Sequence, residues 1–362
     1  MSKFIRQRKK LTIIIILIFI IFVGLLVFDL YGKYQISKIA KMSSNEMICY
    51  TTKEKKNAII TVGIIKDGQV SYSVYGENGV ELTNELHVYE IGSLTKTFTA
   101  AMICQAIEDG KIELNSSVDK YLNLPNGDSY PTIKQLLTHT SGYKAYYLER
   151  PMISNFISAK NDFYGITREM IRDKIGSLSV SKKPFEYSNF GYAVLGLVLE
   201  NVYNQDYKVL LNDFAQNELG LENTKISDKT GDLENYWDWN DDDAYLPVGA
   251  ITSNIEDMLL YTQIQLSHDK IFNECHRSLE NINVTSEGYN VLQININEIG
   301  MAWLIDNENN IIWHNGGTDE YNSYLGFNSE CETAVVILSN LSPNYKVSAT
   351  VLGVKILQEI KN

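Results

Sequence analysis

The chain has 362 residues, 44% hydrophobic and 21% charged, which is enough to bury a full core, and its formal net charge is −12. Setting aside the five positive charges before residue 11 moves the remainder from −12 to −17, which argues against nucleic acid as a partner because a polyanion would be repelled. Four cysteines without C-x-x-C spacing predict buried thiols in place of a disulfide framework, and five isolated histidines without H-E-x-x-H leave a zinc hydrolase without ligands.

Lys3, Arg6, Arg8, Lys9 and Lys10 make residues 1–10 basic, and the uncharged stretch from Leu11 to Phe28 follows. As a helix its eighteen residues span roughly 27 Å, near the hydrocarbon thickness of a bilayer. The positive-inside rule then keeps residues 1–10 cytoplasmic, assigns residues 11–30 as a single transmembrane anchor and places the rest outside. A cleaved signal peptide is the competing reading. The apolar run is longer than the usual signal core and no small-x-small site follows Phe28, which favours an anchor. Residues 31–57 are polar and read as a tether, and residues 58–362 as the folded domain.

Within that domain Ala58–Ile65 alternates, turns at Lys66-Asp67-Gly68 and continues through Val70–Tyr75, predicting a β-hairpin. Residues 93 to about 280 read as helices and loops, with helices expected at 133–137, 193–203 and 255–266, the last opened by a capping box of Ser253 with Glu256. Strands return at 300–305, 311–313, 324–327 and 334–338, and an amphipathic helix over 347–360 closes the chain. The pattern predicts an α+β fold: an antiparallel sheet built from N- and C-terminal strands, flanked by helices, with a mostly helical insertion. A cleft is expected where these layers meet.

The chemistry-bearing residues begin with Ser93-Leu94-Thr95-Lys96, which opens an apolar helical run ended by Gly110. A serine at a helix start has an unpaired backbone N–H that favours developing negative charge, and a lysine one turn later shares its face. S-x-x-K recurs at Ser179–Lys182 and Ser267–Lys270, neither of which opens an amphipathic helix. Two further elements follow in order: Tyr187-Ser188-Asn189 before a buried-looking helix, and His314-Asn315-Gly316-Gly317 at a strand end. Y-x-N occurs again at Tyr121–Asn123, whereas H-x-G occurs once. The ordered set of three is far more specific than any member.

With these three motifs, and with Leu136–Gly142 and Pro247–Ser253 in support, the chain resembles the serine β-lactamase and penicillin-binding protein family, in the branch of class C β-lactamases, DD-peptidases and esterases. The likeness covers about residues 58–360 and implies a β-lactamase/transpeptidase-like fold. By resemblance Ser93 is the acylated nucleophile, Lys96 and Tyr187 its coupled proton relay, and Asn189 a holder of the substrate amide or carbonyl. The oxyanion would lie between the N–H groups of Ser93 and Gly317, and His314, Gly316 and Gly317 would line the substrate strand. Penicillin-recognising relatives usually carry K-T-G there. His314 in the lysine position is expected to weaken recognition of a free carboxylate and to favour esters or amides.

The implied function is an anchored extracytoplasmic serine hydrolase that forms an acyl-enzyme on a D-alanyl ester or amide of the cell envelope, needing neither metal nor organic cofactor. Its partners would be a small-molecule or envelope substrate and the membrane. A β-lactamase and a non-catalytic penicillin-binding sensor are the alternatives. His139 and Ser141 read as helix-end structure because no G-x-S-x-G elbow accompanies them. The acidic aromatic run Asp232–Tyr245 reads as a solvated loop, or as a pocket rim able to attract a cationic group.

Overall fold

The computed structural model describes residues 2–125, 129–178, 182–267 and 269–361, with side chains from residue 17 onward. Ser179, which begins the second S-x-x-K, and the basic side chains before residue 11 lie outside the described residues.

Helix α1 (Ser2–Ala40) contains the apolar segment, and Leu17–Ala40 is long and apolar enough to cross a membrane by length and composition. Residues 31–57 are not loose chain. They continue α1 and, after a turn, form α2 (Ser44–Thr52), which starts with a capping box between Ser43 and Glu46. Met47 and Ile48 are buried in the same apolar cluster as the C-terminal helix. Two apolar side chains within a polar composition are enough to dock a short helix, because burying each one contributes about 1.5–3 kcal/mol.

Strands β1 (Ile60–Lys66) and β2 (Gln69–Tyr75) form the expected hairpin, with Asp67 and Gly68 at positive φ in the turn. Short β3 (Glu81–Leu82) follows, then β4 (Tyr89–Glu90) and α3 (Thr95–Glu108). The insertion continues through α4 (Ile133–Leu137), α5 (Arg150–Ile157), α6 (Arg168–Ser177), α7 (Asn189–Tyr203) and α8 (Tyr207–Asp213). After β5 (Lys225–Ile226) come α9 (Leu246–Gly249), β6 (Ile251–Ser253), α10 (Ile255–Leu266) and α11 (Lys270–His276). The chain then returns to the large sheet with β7 (Glu280–Val284), α12 (Glu287–Val291), β8 (Ile296–Ile299), β9 (Leu304–Asp306), β10 (Ile311–Gly317), β11 (Asn322–Asn328) and β12 (Thr333–Ser339), and ends in α13 (Ala349–Lys361).

Among the described residues nine strands form one antiparallel sheet in the order β3-β2-β1-β12-β11-β10-β9-β8-β7, so the two ends of the chain meet where Ile60 pairs with Ser339. Strand alternation sorts the core into two layers. Val335 and Ile337 of β12 face the cluster with Leu352, Ile356 and Leu357 of α13, while Ala334, Val336 and Leu338 face the helical insertion. Gly63 lets α10 lie against β1, since a Cβ there would stand 2.8 Å from Ile255 Cδ1.

Three expectations are corrected. Helix α10 is capped by Asn254, whose side chain accepts from Asp257 N–H, while Ser253 belongs to β6 and its Oγ meets Thr224 at 2.8 Å. The run 232–245 is not a solvated loop: Tyr245 and Asp243 are buried, and Tyr236 donates to Val88 O at 2.8 Å. Its aromatic members turn inward while Asp241 and Asp242 stay exposed. Of the free thiols, Cys104 and Cys275 are buried but Cys49 and Cys331 are exposed.

Candidate active site

Ser93 sits in a 3-10 turn (Gly92–Leu94) that runs directly into α3. Gly92 adopts φ +50, and a Cβ there would stand 2.5 Å from Gly317 N, so a glycine is needed both for the turn and for the close approach of β10. The turn leaves Ser93 partly exposed while Lys96, one turn further, is fully buried. Lys96 Nζ lies 2.9 Å from Ser93 Oγ and 2.9 Å from the carbonyl oxygen of Val248 in α9. Burial holds the Lys96 amine well below its ordinary value of 10.5. A neutral amine beside the hydroxyl can accept the Ser93 proton.

Tyr187 comes from the loop before α7, and its phenol lies near enough to Ser93 for that hydroxyl to favour the ionised phenol. The Lys96 ammonium position is 5.0 Å from the Tyr187 ring centroid. The three groups separated by up to 94 positions in sequence therefore converge on the Ser93 hydroxyl. Burial raises the phenol above its ordinary value of 10.0, against a smaller lowering by Ser93, and lowers the Lys96 amine, so burial pushes both groups toward their neutral forms.

Asn189 is the first residue of α7, held by Ser188, whose Oγ accepts from Gly191 N–H at 2.9 Å and donates to Lys144 O at 2.7 Å. Asn189 Oδ1 is buried without a hydrogen-bond partner among the described residues. His314 is buried within β10, and its Nδ1 lies 2.7 Å from Asn315 O. Burial, with Lys96 nearby, pushes its imidazole down to about 3, so it is neutral at physiological pH and presents no fixed positive charge to a carboxylate.

The two glycines after it serve packing as well as access. A Cβ at Gly316 would stand 1.9 Å from Ile91 O, and one at Gly317 would stand 2.4 Å from Pro343 Cγ. Strand β9 pairs with β10 at residues 311–313, while β11 pairs along to Gly317 on the other side. The stretch from His314 to Gly317 thus offers one strand edge to a ligand.

The sequence reading gave no site role to His139, to Val248, or to Tyr192, whose ring centroid lies 5.8 Å from Lys96 Nζ. His139, at φ +55, accepts from Ser188 N–H through Nδ1 at 3.1 Å, and its ring lies 4.5 Å from that of Tyr187. It is helix-end structure as expected, yet it also walls the site. The apolar letters around it gave no sign of that contact, which spans 49 positions.

A protein-family model described as Beta-lactamase matches residues 51–355. The chain belongs to the beta-lactamase family. Protein flp of Staphylococcus aureus (strain MW2) is 27% identical over 315 residues, a match that takes in 78% of this chain and 59% of that protein. The chain thus spans less than two thirds of that relative's length. A beta-lactamase/D-alanine carboxypeptidase of Yersinia pestis superposes with a TM-score of 0.70 at 19% identity, covering 91% of this chain and 99% of the other. The D-amino acid amidase of Ochrobactrum anthropi SV3 superposes with a TM-score of 0.66 at 17% identity, over 91% of this chain and 99% of the other.

Proposed function

We propose that this member of the beta-lactamase family is an extracytoplasmic serine hydrolase, anchored by α1, that acts through an acyl-enzyme at Ser93 on a D-alanyl ester or amide of the cell envelope. The observation that carries the reading is the 2.9 Å contact of a buried, proton-poor Lys96 amine with the Ser93 hydroxyl. Ser93 Oγ attacks the substrate carbonyl as its proton passes to Lys96 Nζ. The oxyanion is met by the N–H groups of Ser93 and Gly317, and the leaving alcohol or amine takes the proton back, with the neutral Tyr187 phenol as relay. Water then cleaves the acyl–Ser93 bond. Asn189 supplies a buried acceptor that a substrate N–H can satisfy.

A neutral His314 favours esters and amides over ligands held by a free carboxylate, and one of the fold neighbours is named a D-amino acid amidase. The basic residues before Leu11 and the apolar helix support a cytoplasmic N-terminus and an exported body. Intact-protein mass spectrometry after incubation with candidate acyl donors tests the reading, since adduct mass and lifetime name the acyl group. Labelling by a fluorophosphonate should vanish in Ser93→Ala, and labelling that persists at another serine would remove the assignment.

A β-lactamase is the second reading, favoured by fold neighbours described as class C beta-lactamases, at TM-scores of 0.62 and 0.65. Fast nitrocefin turnover would select it. Acylation without measurable deacylation would instead support a penicillin-binding sensor.

A further inference from the structure

A buried carboxyl stands three residues before Ser93, and the roles described above make no use of it. Glu90 in β4 is 3% exposed. Its Oε2 accepts from Thr318 Oγ1 at 2.6 Å and its Oε1 from Trp237 N–H at 2.5 Å. Thr318 directly follows Gly317, and its own N–H donates to Tyr321 O at 3.0 Å. One side chain therefore joins the strand that leads to the nucleophile, the end of β10 and the inward-turned segment 232–245.

The Ser93 turn packs closely on β10 and β11. Ile91 O accepts from Ser323 Oγ at 2.7 Å, and Gly92 and Gly316 leave no room for a Cβ between β10 and the Ser93 turn. The Gly317 N–H belongs to the 316–317 peptide, which close packing holds at Gly316 and the bonds of Thr318 to Tyr321 and Glu90 hold from the other side.

We propose that Glu90 is a positioning residue for acylation of Ser93: its carboxylate, by accepting from both Thr318 and Trp237, anchors residue 318 on the far side of Gly317 and so holds the 316–317 peptide, which carries the Gly317 N–H, aimed at the oxyanion. This rests on the reading of Ser93 as nucleophile and Gly317 as oxyanion donor. Only the ionised carboxylate accepts on both oxygens. Protonated, it keeps one acceptor and gains a donor, so the bond to Thr318 must reverse and a charge-assisted contact becomes a neutral one of about half the strength.

The surroundings place this change in an accessible range. Burial pushes the Glu90 carboxyl up to about 7 against the pull of Thr318 and Trp237, with Asp319 raising it further and Lys229 lowering it. Lys229 is itself ion-paired with Asp238. Tyr236 and Tyr321 also face the carboxyl, and both are shifted upward and stay neutral.

The test measures kinact and KI for fluorophosphonate labelling of the full chain between about pH 5.5 and 9. Wild-type kinact should fall about tenfold as pH drops through about 7, less than the ~10²–10³ expected for losing an oxyanion donor outright, with KI unchanged. Glu90→Gln, which presents one acceptor and one donor as the protonated acid does, should label at the slow low-pH rate throughout, without the inflection. Thr318→Val keeps the carboxylate but removes a donor that favours its ionised form, so it should slow labelling and move the inflection to higher pH. An inflection that persists in Glu90→Gln belongs to Lys96 and overturns the proposal, as does a wild-type kinact in that variant. Should Glu90→Gln not fold, Thr318→Val decides alone, and an unmoved inflection overturns it. Wild-type protein that is not labelled, or labelling that survives Ser93→Ala, overturns the nucleophile reading and this inference together, whereas the other failures remove Glu90 only.

Discussion

Lys96 has no exposed surface and no carboxylate within hydrogen-bonding distance among the described residues; its partners are a hydroxyl and a carbonyl. Such a lysine costs stability in its charged form, and the sign is definite. Its folded value lies well below the 10.5 of the unfolded chain, so the unfolded state binds more protons between those two values and stability rises with pH across that window. Lys96→Met removes the titration. Wild type should therefore gain stability relative to Lys96→Met as pH is raised from neutral toward 10.5, which thermal melts of both proteins at several pH values would show, and equal pH slopes would contradict it. The same variant should label with fluorophosphonate about 10²–10⁴-fold more slowly, as expected for loss of a positioned base. His314 tests specificity at the same scale. His314→Lys places a cation where this chain has a neutral ring and should raise acylation by carboxylate-bearing penicillins relative to ester probes by about tenfold, the worth of roughly 1.4 kcal/mol, read as a ratio of second-order rate constants. The motif residues were legible because reactive side chains recur in fixed order along the chain. Glu90 and His139 were not, since a buried glutamate and a histidine after a short helix carry no local pattern, and their partners Thr318 and Ser188 lie 228 and 49 positions away.

At the scale of elements, periodicity served well where burial is one-sided. Helix α10 was legible to its last residue, and the hairpin of β1 and β2 to within a residue or two, because apolar letters at helical or alternating spacing are what a half-buried element requires. The same logic misplaced the cap of α10, since Ser253 and Asn254 are both good cap residues and only pairing of Ser253 with Tyr89 of β4 decides between them. It also missed α5 and α6 and misread 232–245, where charged letters flank aromatic side chains that point inward. The junction of β10 with the Ser93 turn is the element contact on which the site depends. Gly316→Ala places a Cβ against the Ile91 carbonyl at 1.9 Å, backbone that cannot rotate aside. It should cost about 1–3 kcal/mol or more and depress labelling of Ser93 beyond that loss, as a chemical denaturation series paired with labelling rates would reveal. Gly68, whose added Cβ would meet nothing, is the contrasting position: Gly68→Asn fits the turn's positive φ and should leave both quantities near wild type.

Across the whole molecule, the sheet is closed by strands about 270 residues apart, so β1 and β12 must find each other after the helical insertion has been made. Helix α2 adds to that closure from the N-terminal side, burying Met47 and Ile48 against the α13 layer, while α1 reaches the body through Ile39, through Ile36 beside Gly288, through Gln35, which accepts from the Tyr50 hydroxyl at 3.4 Å, and through an exposed pair of Lys33 with Glu287. An exposed pair of this kind is worth ~0–1 kcal/mol and Gln35 and Ile36 are only half-buried, so α1 up to about residue 36 adds only a small part of the stability of the domain. Deleting residues 1–36 should therefore give a folded protein that labels at Ser93 at the wild-type rate and, without the apolar segment, no longer partitions into detergent or membrane. Deleting residues 1–57 removes Ile39, Met47 and Ile48 as well, and at about 1.5–3 kcal/mol for each lost side chain it should lower Tm strongly or leave the chain insoluble. A 58–362 fragment as stable as the 37–362 fragment would show that the second helix is dispensable, and the folded unit would then begin at the first strand, where the alternation in the sequence begins.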